Sequence, residues 1–227
     1  MTQILPAKLA FGALALVFIA CPAAATEDDF NIWTGQFIVV DIDEDSDWFL
    51  RGEAQERFTD DADRLGQLLL RTLVGYRLTE DVSIGGGYAY ILTDPVGPVE
   101  VNEHRFYQEL NVRLFNEGGV TLDSRTRLEQ RTFEEGNGVS WRFRNFVQLR
   151  VPISENNKVV AYTEPFIELN ETSFQRGGLS VWRNFAGVSI PLADGIEMVP
   201  GYLNQTVFRE GENRMDHVAN VNLFMNF

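Results

Sequence analysis

From about residue 30 to the last residue, apolar and polar side chains alternate with a period of two, the signature of extended strands with two unlike faces. The alternation predicts strands near Phe30–Val40, Trp48–Phe58, Leu65–Leu78, Val82–Ile91, Glu103–Phe115, Val120–Phe133, Ser140–Val151, Val159–Asn170, Leu179–Ile190, Ile196–Phe208 and His217–Phe227. Most of these run about ten to fourteen residues, against a mode of roughly 5–6 in soluble proteins and about 9–11 for a strand crossing a membrane. Their length favours a membrane barrel over a soluble sandwich.

The connections sort into two kinds. Thr79-Glu80-Asp81, Asn116 to Gly119, Ser154 to Lys158 and Ala193-Asp194-Gly195 are tight, whereas Leu92 to Asn102, Glu171 to Gly178 and Arg209 to Asp216 are longer. Outer-membrane barrels have short periplasmic turns and longer external loops. That rule makes the last strand run towards the periplasm and end there on Phe227, an aromatic carboxyl terminus of the kind read by the barrel assembly machinery.

One face of this pattern is charged. Glu53, Gln55 and Arg57; Gln67, Arg71 and Arg77; Arg105, Glu109, Asn111 and Arg113; Asp123, Arg125, Arg127, Glu129 and Arg131; Arg142, Arg144, Gln148 and Arg150; and Glu164 and Glu168 fall on alternate positions of their strands. Leu68, Leu70, Val74, Leu110, Val112, Leu114, Val147, Leu149, Ala186, Val188 and Ile190 occupy the other face. In a membrane barrel the apolar set meets lipid and the charged set lines the lumen. Trp48, Tyr76, Phe115 and Phe227 fall near the periplasmic strand ends, and Tyr88, Tyr90, Phe106, Trp141 and Trp182 near the external ones, as two interfacial girdles require.

The pattern has defects. Gln108, Ser124, Gln130, Asn145 and Asn184 fall on the lipid side, and Pro165 and Pro200 interrupt strands, so bulges or a shifted register are expected there. Eleven segments is also an awkward count, since bacterial single-chain barrels are usually even-numbered. Ten to twelve strands are expected, with Phe30–Val40 the segment whose place in the wall is open.

The amino-terminal end has a different texture. Lys8, an apolar run from Leu9 to Ala20 and the small residues Ala23-Ala24-Ala25 form a secretory signal peptide cut after Ala25. Cys21, the only cysteine, lies within it in a weak lipoprotein-like context, so no disulfide framework is available. A net charge of −14 argues against nucleic-acid binding. Lys8 and Lys158 are the only lysines, so the basic residues are nearly all arginine. Arginine is preferred where carboxylates are paired in confined space.

Several stretches, FNIWTGQF, the pair HRFYQELNVRL and SRTRLEQR, YTEPFIEL, RNFAGVSIPL and EMVPGYLNQ before a His-containing last strand, together resemble the outer-membrane barrel family catalogued as domain of unknown function 2490. The resemblance spans nearly the whole chain after the signal peptide. It implies an antiparallel barrel and brings no activity or functional residue with it.

Three constellations carry candidate chemistry. Arg57, Arg71, Arg105, Glu109, Arg113, Arg125, Arg127, Glu129, Arg142, Arg144, Glu164 and Glu168 form a lumen charge network, either a closed ion-pair lattice or, because arginine is in excess, a lining for small anions. Asp216-His217 at the external rim, with Asp60, Asp61 and Asp63 on another external loop, allows a phospholipase- or omptin-like hydrolase, for the first of which Ser140 or Ser180 would have to approach across strands. His217 and His104 fall on the lipid-facing register, which fits interfacial histidines better. The acidic run Asp41 to Asp47 lacks the glycine and final glutamate of an EF-hand loop and reads as a solvated turn. Gly85-Gly86-Gly87 sits in a strand and reads as relief for large side chains across the barrel.

The sequence therefore predicts an all-β protein of a Gram-negative bacterium: a signal peptide at 1–25 and a single antiparallel transmembrane barrel of about 10–12 strands at 26–227. The expected partners are outer-membrane lipid and lipopolysaccharide, whose divalent cations Asp60 to Asp63 could share, the barrel assembly machinery and small anionic solutes. No cofactor and no resident metal are expected.

Overall fold

The computed structural model describes residues 25–43, 46–94, 100–134 and 136–227. The expected signal peptide before Ala25, with Cys21, lies outside these residues, as do Glu44 and Asp45 of the acidic turn. The described chain forms eleven strands, β1 (Ala25–Asp41), β2 (Trp48–Thr59), β3 (Arg64–Arg77), β4 (Val82–Thr93), β5 (Val101–Glu117), β6 (Val120–Phe133), β7 (Ser140–Pro152), β8 (Lys158–Glu168), β9 (Gly178–Ala193), β10 (Ile196–Val207) and β11 (Asn213–Asn226). They are the segments marked by the alternation, and they close into one barrel in sequence order.

The parity problem resolves in favour of the odd count. Each strand is antiparallel to its neighbours in sequence, and directions that alternate round a ring of eleven must clash once. The clash falls between β1 and β11, which pair in parallel from Ala25/Asn213 to Val39/Asn226. Phe30–Val40 is thus a full wall strand, and the expectation of a wholly antiparallel barrel is corrected at this one seam. The backbone of Phe227 completes the seam, its N–H donating to Val39 and its carbonyl accepting from Asp41.

The pleat sorts side chains as the alternation predicts. Leu50, Leu70, Val74, Ile84, Phe106, Leu110, Ile167 and Val221 point outwards and are exposed, while arginines and glutamates are buried inside. A soluble protein rarely exposes an apolar patch beyond a few hundred Å². Here the apolar surface girdles the molecule. Trp48 and Tyr76 pack edge to face at the Phe227 rim, and Tyr88 and Phe106 pack on the wall nearer the opposite rim.

The polar outward residues are not repaired by a shifted register. Gln108 and Gln130 exchange amide hydrogen bonds of 3.3 and 2.9 Å, Asn145 donates to Ser124 and Thr126, and Thr163 donates to Asn184 and accepts from the Trp182 indole. They stay on the outer face and satisfy one another across strands. The prolines are accommodated by gaps on one side: the β7–β8 ladder skips from Arg144/Phe166 to Val147/Thr163, and the β9–β10 ladder from Met198/Ile190 to Gly201/Gly187, both in unchanged register, while on its other side β8 shifts register against β9 between Phe166 and Ile167, the irregularity expected beside Pro165.

Glycines make room for inward rings. A Cβ at Gly87 would lie 2.5 Å from the Tyr107 ring and one at Gly85 2.9 Å from Leu73, the relief expected of that triplet. Gly187 and Gly201 do the same for Phe185. In the β9–β10 turn, Gly195 has φ of 70°, and a Cβ there would meet the Asn226 carbonyl at 2.4 Å.

Candidate functional site: the charged lumen

The inward positions of β2, β3 and β5 to β8 bring the predicted network together. Glu109 accepts from Arg51 at 2.8 Å and from Arg127 at 2.5 and 3.0 Å. Glu129 accepts from Arg144 at 2.8 Å and from Arg142 through Nε at 2.7 Å, with a second, shorter bond from Arg142 Nη2. Glu164 binds Arg144 at 2.8 Å and Arg125 at 3.2 Å, and Glu53 pairs with Arg71. Towards the far rim, Glu103 accepts from Arg105 and Arg131, each at 2.5 Å, and Glu168 lies 3.5 Å from Arg131 and 3.8 Å from Arg142.

Arg127 and Glu129 are each 1% exposed, so these charges have left water. Such burial costs several kcal/mol per ion and is tolerable only where pairing and extra hydrogen bonds offset it. Rings help: Arg127 lies over Tyr107 at 4.5 Å and Arg144 over Phe166 at 4.1 Å.

Two corrections concern the predicted members. Arg113 is not in the lattice: beside a register shift at Arg113/Phe115, it sits half-exposed at the Phe227 rim, 3.4 Å from Asp123 and 3.9 Å from Asp81. Arg57 does face the lumen, but no carboxylate lies within ion-pair distance among the described residues. It donates instead to Gln67 at 2.7 Å and Gln55 at 3.1 Å. Arg51, Glu103 and Arg183, which the sequence reading passed over, lie on the inward face. The first two sit on positions the period of two already marks.

Arg183 belongs with Arg57. Its Nε donates to Gln205 at 2.7 Å, and it too has no carboxylate within 4 Å among the described residues, although Glu164 is its neighbour across the β8–β9 ladder. The two guanidiniums lie over the Trp33 indole, Arg57 at 4.1 Å and Arg183 at 5.0 Å from its centroid, and Arg183 also covers Phe166 at 4.6 Å. Trp33 is 6% exposed, and its indole N–H is buried without an acceptor among the described residues.

The wall behind Trp33 is of another kind. Trp33, Val160, Phe185, Val199, Leu203 and Val218 form a buried apolar cluster joined by Tyr162 and Phe224. Tyr162 stacks on Phe185 at 4.9 Å and Phe37 on Phe224 at 4.7 Å. This surface, contributed by β1 and β8 to β11, lies on the lumen side. A second inward cluster, Phe49, Leu69, Leu73, Ala89, Ile91 and Tyr107, fills β2 to β5. The lumen is therefore not the uniformly Arg/Glu-lined interior that the sequence suggested.

Two cavities open into this interior. One of about 310 Å³ includes Asn226, Phe224 and Arg150 towards the Phe227 rim, and one of about 540 Å³ includes Asp60, Asp94 and Thr59 towards the other. Both are lined by Trp33, Arg57, Arg71, Arg144 and Arg183. These five residues form the partition between the two halves of the lumen.

The rim constellation comes apart. Asp216 and His217 are consecutive in β11, and consecutive strand residues face opposite ways. Asp216 points inwards to Gln205 and Arg214, while His217 points outwards with Nδ1 2.6 Å from the Tyr202 hydroxyl. His104 makes the same pair with Tyr88, also at 2.6 Å. Ser140 and Ser180 both donate to Glu168 inside the barrel, across the wall from either histidine. Asp216, Ser140 and Ser180 thus face the interior while both histidines face outwards. The described part of the Asp41–Asp47 segment is a turn in which Asp41 pairs with Arg77, and no cluster of three or more potential metal ligands occurs among the described residues.

A closed barrel that is apolar outside and carries a guanidinium–carboxylate lattice inside has the outer-membrane type of fold. The chain belongs to the family described as "Protein of unknown function (DUF2490)", whose model matches residues 30–216. An uncharacterized protein of Methylorubrum extorquens is 29% identical over 226 residues, covering 97% of this chain and 98% of its own. Among solved structures, the outer-membrane expressed OmpT of Vibrio cholerae is similar with a TM-score of 0.44 and 15% identity over 80% of this chain, which spans 60% of the OmpT chain.

Proposed function

We propose that the protein is an integral outer-membrane barrel, delivered by a cleaved signal peptide, whose lumen is a narrow passage for small anions. The observation that carries this reading is the imbalance at the partition, where Arg57 and Arg183 stand without carboxylates while the arginines around Glu109 and Glu129 are paired. A paired lattice holds the wall rigid, whereas unmatched guanidiniums in a low-dielectric constriction attract anions and repel cations. The apolar girdle supports residence in lipid, with lipopolysaccharide as the outer-leaflet partner, and the aromatic terminus supports handling by the barrel assembly machinery.

With Phe227 at the periplasmic face, the parallel seam puts the start of β1 at the external face. An epitope tag inserted between Thr26 and Glu27 is then reached by antibody on intact cells. Labelling only after the outer membrane is permeabilised contradicts this orientation. The passage is tested in planar bilayers seeded with purified protein: an anion-selective conductance is expected, and silence at all voltages removes it.

A further inference from the structure

The same partition offers more than charge. On the Phe227 side, the 310 Å³ cavity is lined by arginines from the partition to Arg150 near the rim, with Glu53 and Glu164 among them, and by aromatic and branched apolar side chains along one wall. That volume is at the small end of ligand sites, which are commonly about 300–1,000 Å³. Inorganic phosphate or chloride would use the donors and leave the apolar wall facing water.

We propose that this cavity binds a small organic monocarboxylate with a flat apolar body, its carboxylate held by Arg57, Arg183 and the Trp33 indole N–H and its body lying on Tyr162, which Phe185 backs from behind. The inference deepens the anion-passage reading and rests on it for the entry route. Three features point to such a ligand. First, the buried Trp33 N–H has no acceptor among the described residues, nor has Arg57 Nε. A buried donor left unmatched costs about 1–3 kcal/mol, a cost that a bound oxyanion removes. Second, the two guanidiniums are hydrogen-bonded by neutral amides, Gln67, Gln55 and Gln205, and neither has a carboxylate within 4 Å among the described residues, Glu164 lying opposite Arg183 on β8 but paired with Arg144 and Arg125. Planar guanidinium forks match a carboxylate in two-point contact. Third, Tyr162 and Phe185 are stacked nearly parallel, at 16°, and Gly187 and Gly201 leave the space that the Phe185 ring fills. This wall is pre-formed, so an apolar body docks without reorganising it.

The test uses the full-length barrel in detergent micelles, with benzoate as the probe and acetate and inorganic phosphate as comparisons, read by titration calorimetry. Benzoate is expected to bind at least tenfold more tightly than acetate or phosphate, and Arg57→Gln combined with Arg183→Gln is expected to abolish its binding. Trp33→Phe, which keeps the ring and removes the N–H, should weaken it several-fold. Each variant is first checked for slower or faster gel migration when unheated, which shows a closed barrel. Equal binding of benzoate and acetate, or unchanged benzoate affinity in a double variant that still closes, overturns the proposal. Benzoate binding by a barrel that conducts no ions leaves the site standing and removes the passage. An anion conductance without benzoate binding does the reverse.

Discussion

The wall of β5 to β7 and the wall of β8 to β1 enclose the same lumen on different electrostatic terms. In the first, each glutamate is shared by two or more arginines, as Glu129 is by Arg142 and Arg144, and the charges are locked in place. In the second, beyond Glu164 and Glu168 of β8 and Asp216 of β11, aromatic and aliphatic side chains are buried with amides, and Arg183 on this wall and Arg57 reaching over from β2 meet rings and glutamines with no carboxylate within 4 Å among the described residues. Arginine alone is therefore a poor marker of function in such a barrel. What distinguishes a structural guanidinium from one free to meet a ligand is whether a carboxylate answers it.

Breaking the paired wall should have the largest effect. Glu129→Ala leaves Arg142 and Arg144 buried without their shared acid, and removal of one partner from a buried network costs about 3–5 kcal/mol. Urea unfolding in micelles, followed by loss of the compact gel form, reads this directly. A midpoint equal to wild type would show that water reaches these charges. Next, Gly201→Val drives a branched side chain into the Phe185 ring and is expected to cost about 1–3 kcal/mol by overpacking. An unperturbed variant would mean that the apolar wall is loose. On the outer face, replacing Gln108 and Gln130 together by Leu removes both partners of an outward-facing pair, and with that face in lipid, as proposed, the change should stay near about 0.6 kcal/mol. Smallest of all should be the stability change in Arg57→Gln with Arg183→Gln, because no ion pair is lost and removing two buried cations that lack contact carboxylates offsets the lost cation–π contacts and amide hydrogen bonds. A loss comparable to that of Glu129→Ala would erase the distinction between the walls.

Much of the fold was legible because a period of two survives wherever the two faces differ in chemistry. The Arg/Glu rows of β5, β6 and β7 oppose leucine and valine, so their inward faces could be assigned from sequence. In β8 to β11 the contrast fails: Val159 and Val160, Ala186 and Phe185, and Tyr202 and Leu203 put apolar side chains on both faces, and the apolar lumen wall was invisible. The outer amide pairs were equally hidden, since Gln108 and Gln130 meet only through the β5–β6 register. Arg113 was misplaced because a local register shift precedes the rim. Asp216 and His217 misled for the opposite reason, as adjacency in sequence is opposition in a strand. The parallel seam leaves no mark in the alternation, which reports faces and not strand directions; only the odd number of strands implies it.

The central claim is that the guanidiniums without carboxylates, and not the paired lattice, set the character of the lumen. The reversal potential of bilayers under a KCl gradient tests it most directly, comparing wild type with the Arg57→Gln, Arg183→Gln double variant. The account predicts a wild-type potential close to that of chloride and a shift towards zero selectivity in the double variant. A double variant as anion-selective as wild type would contradict it.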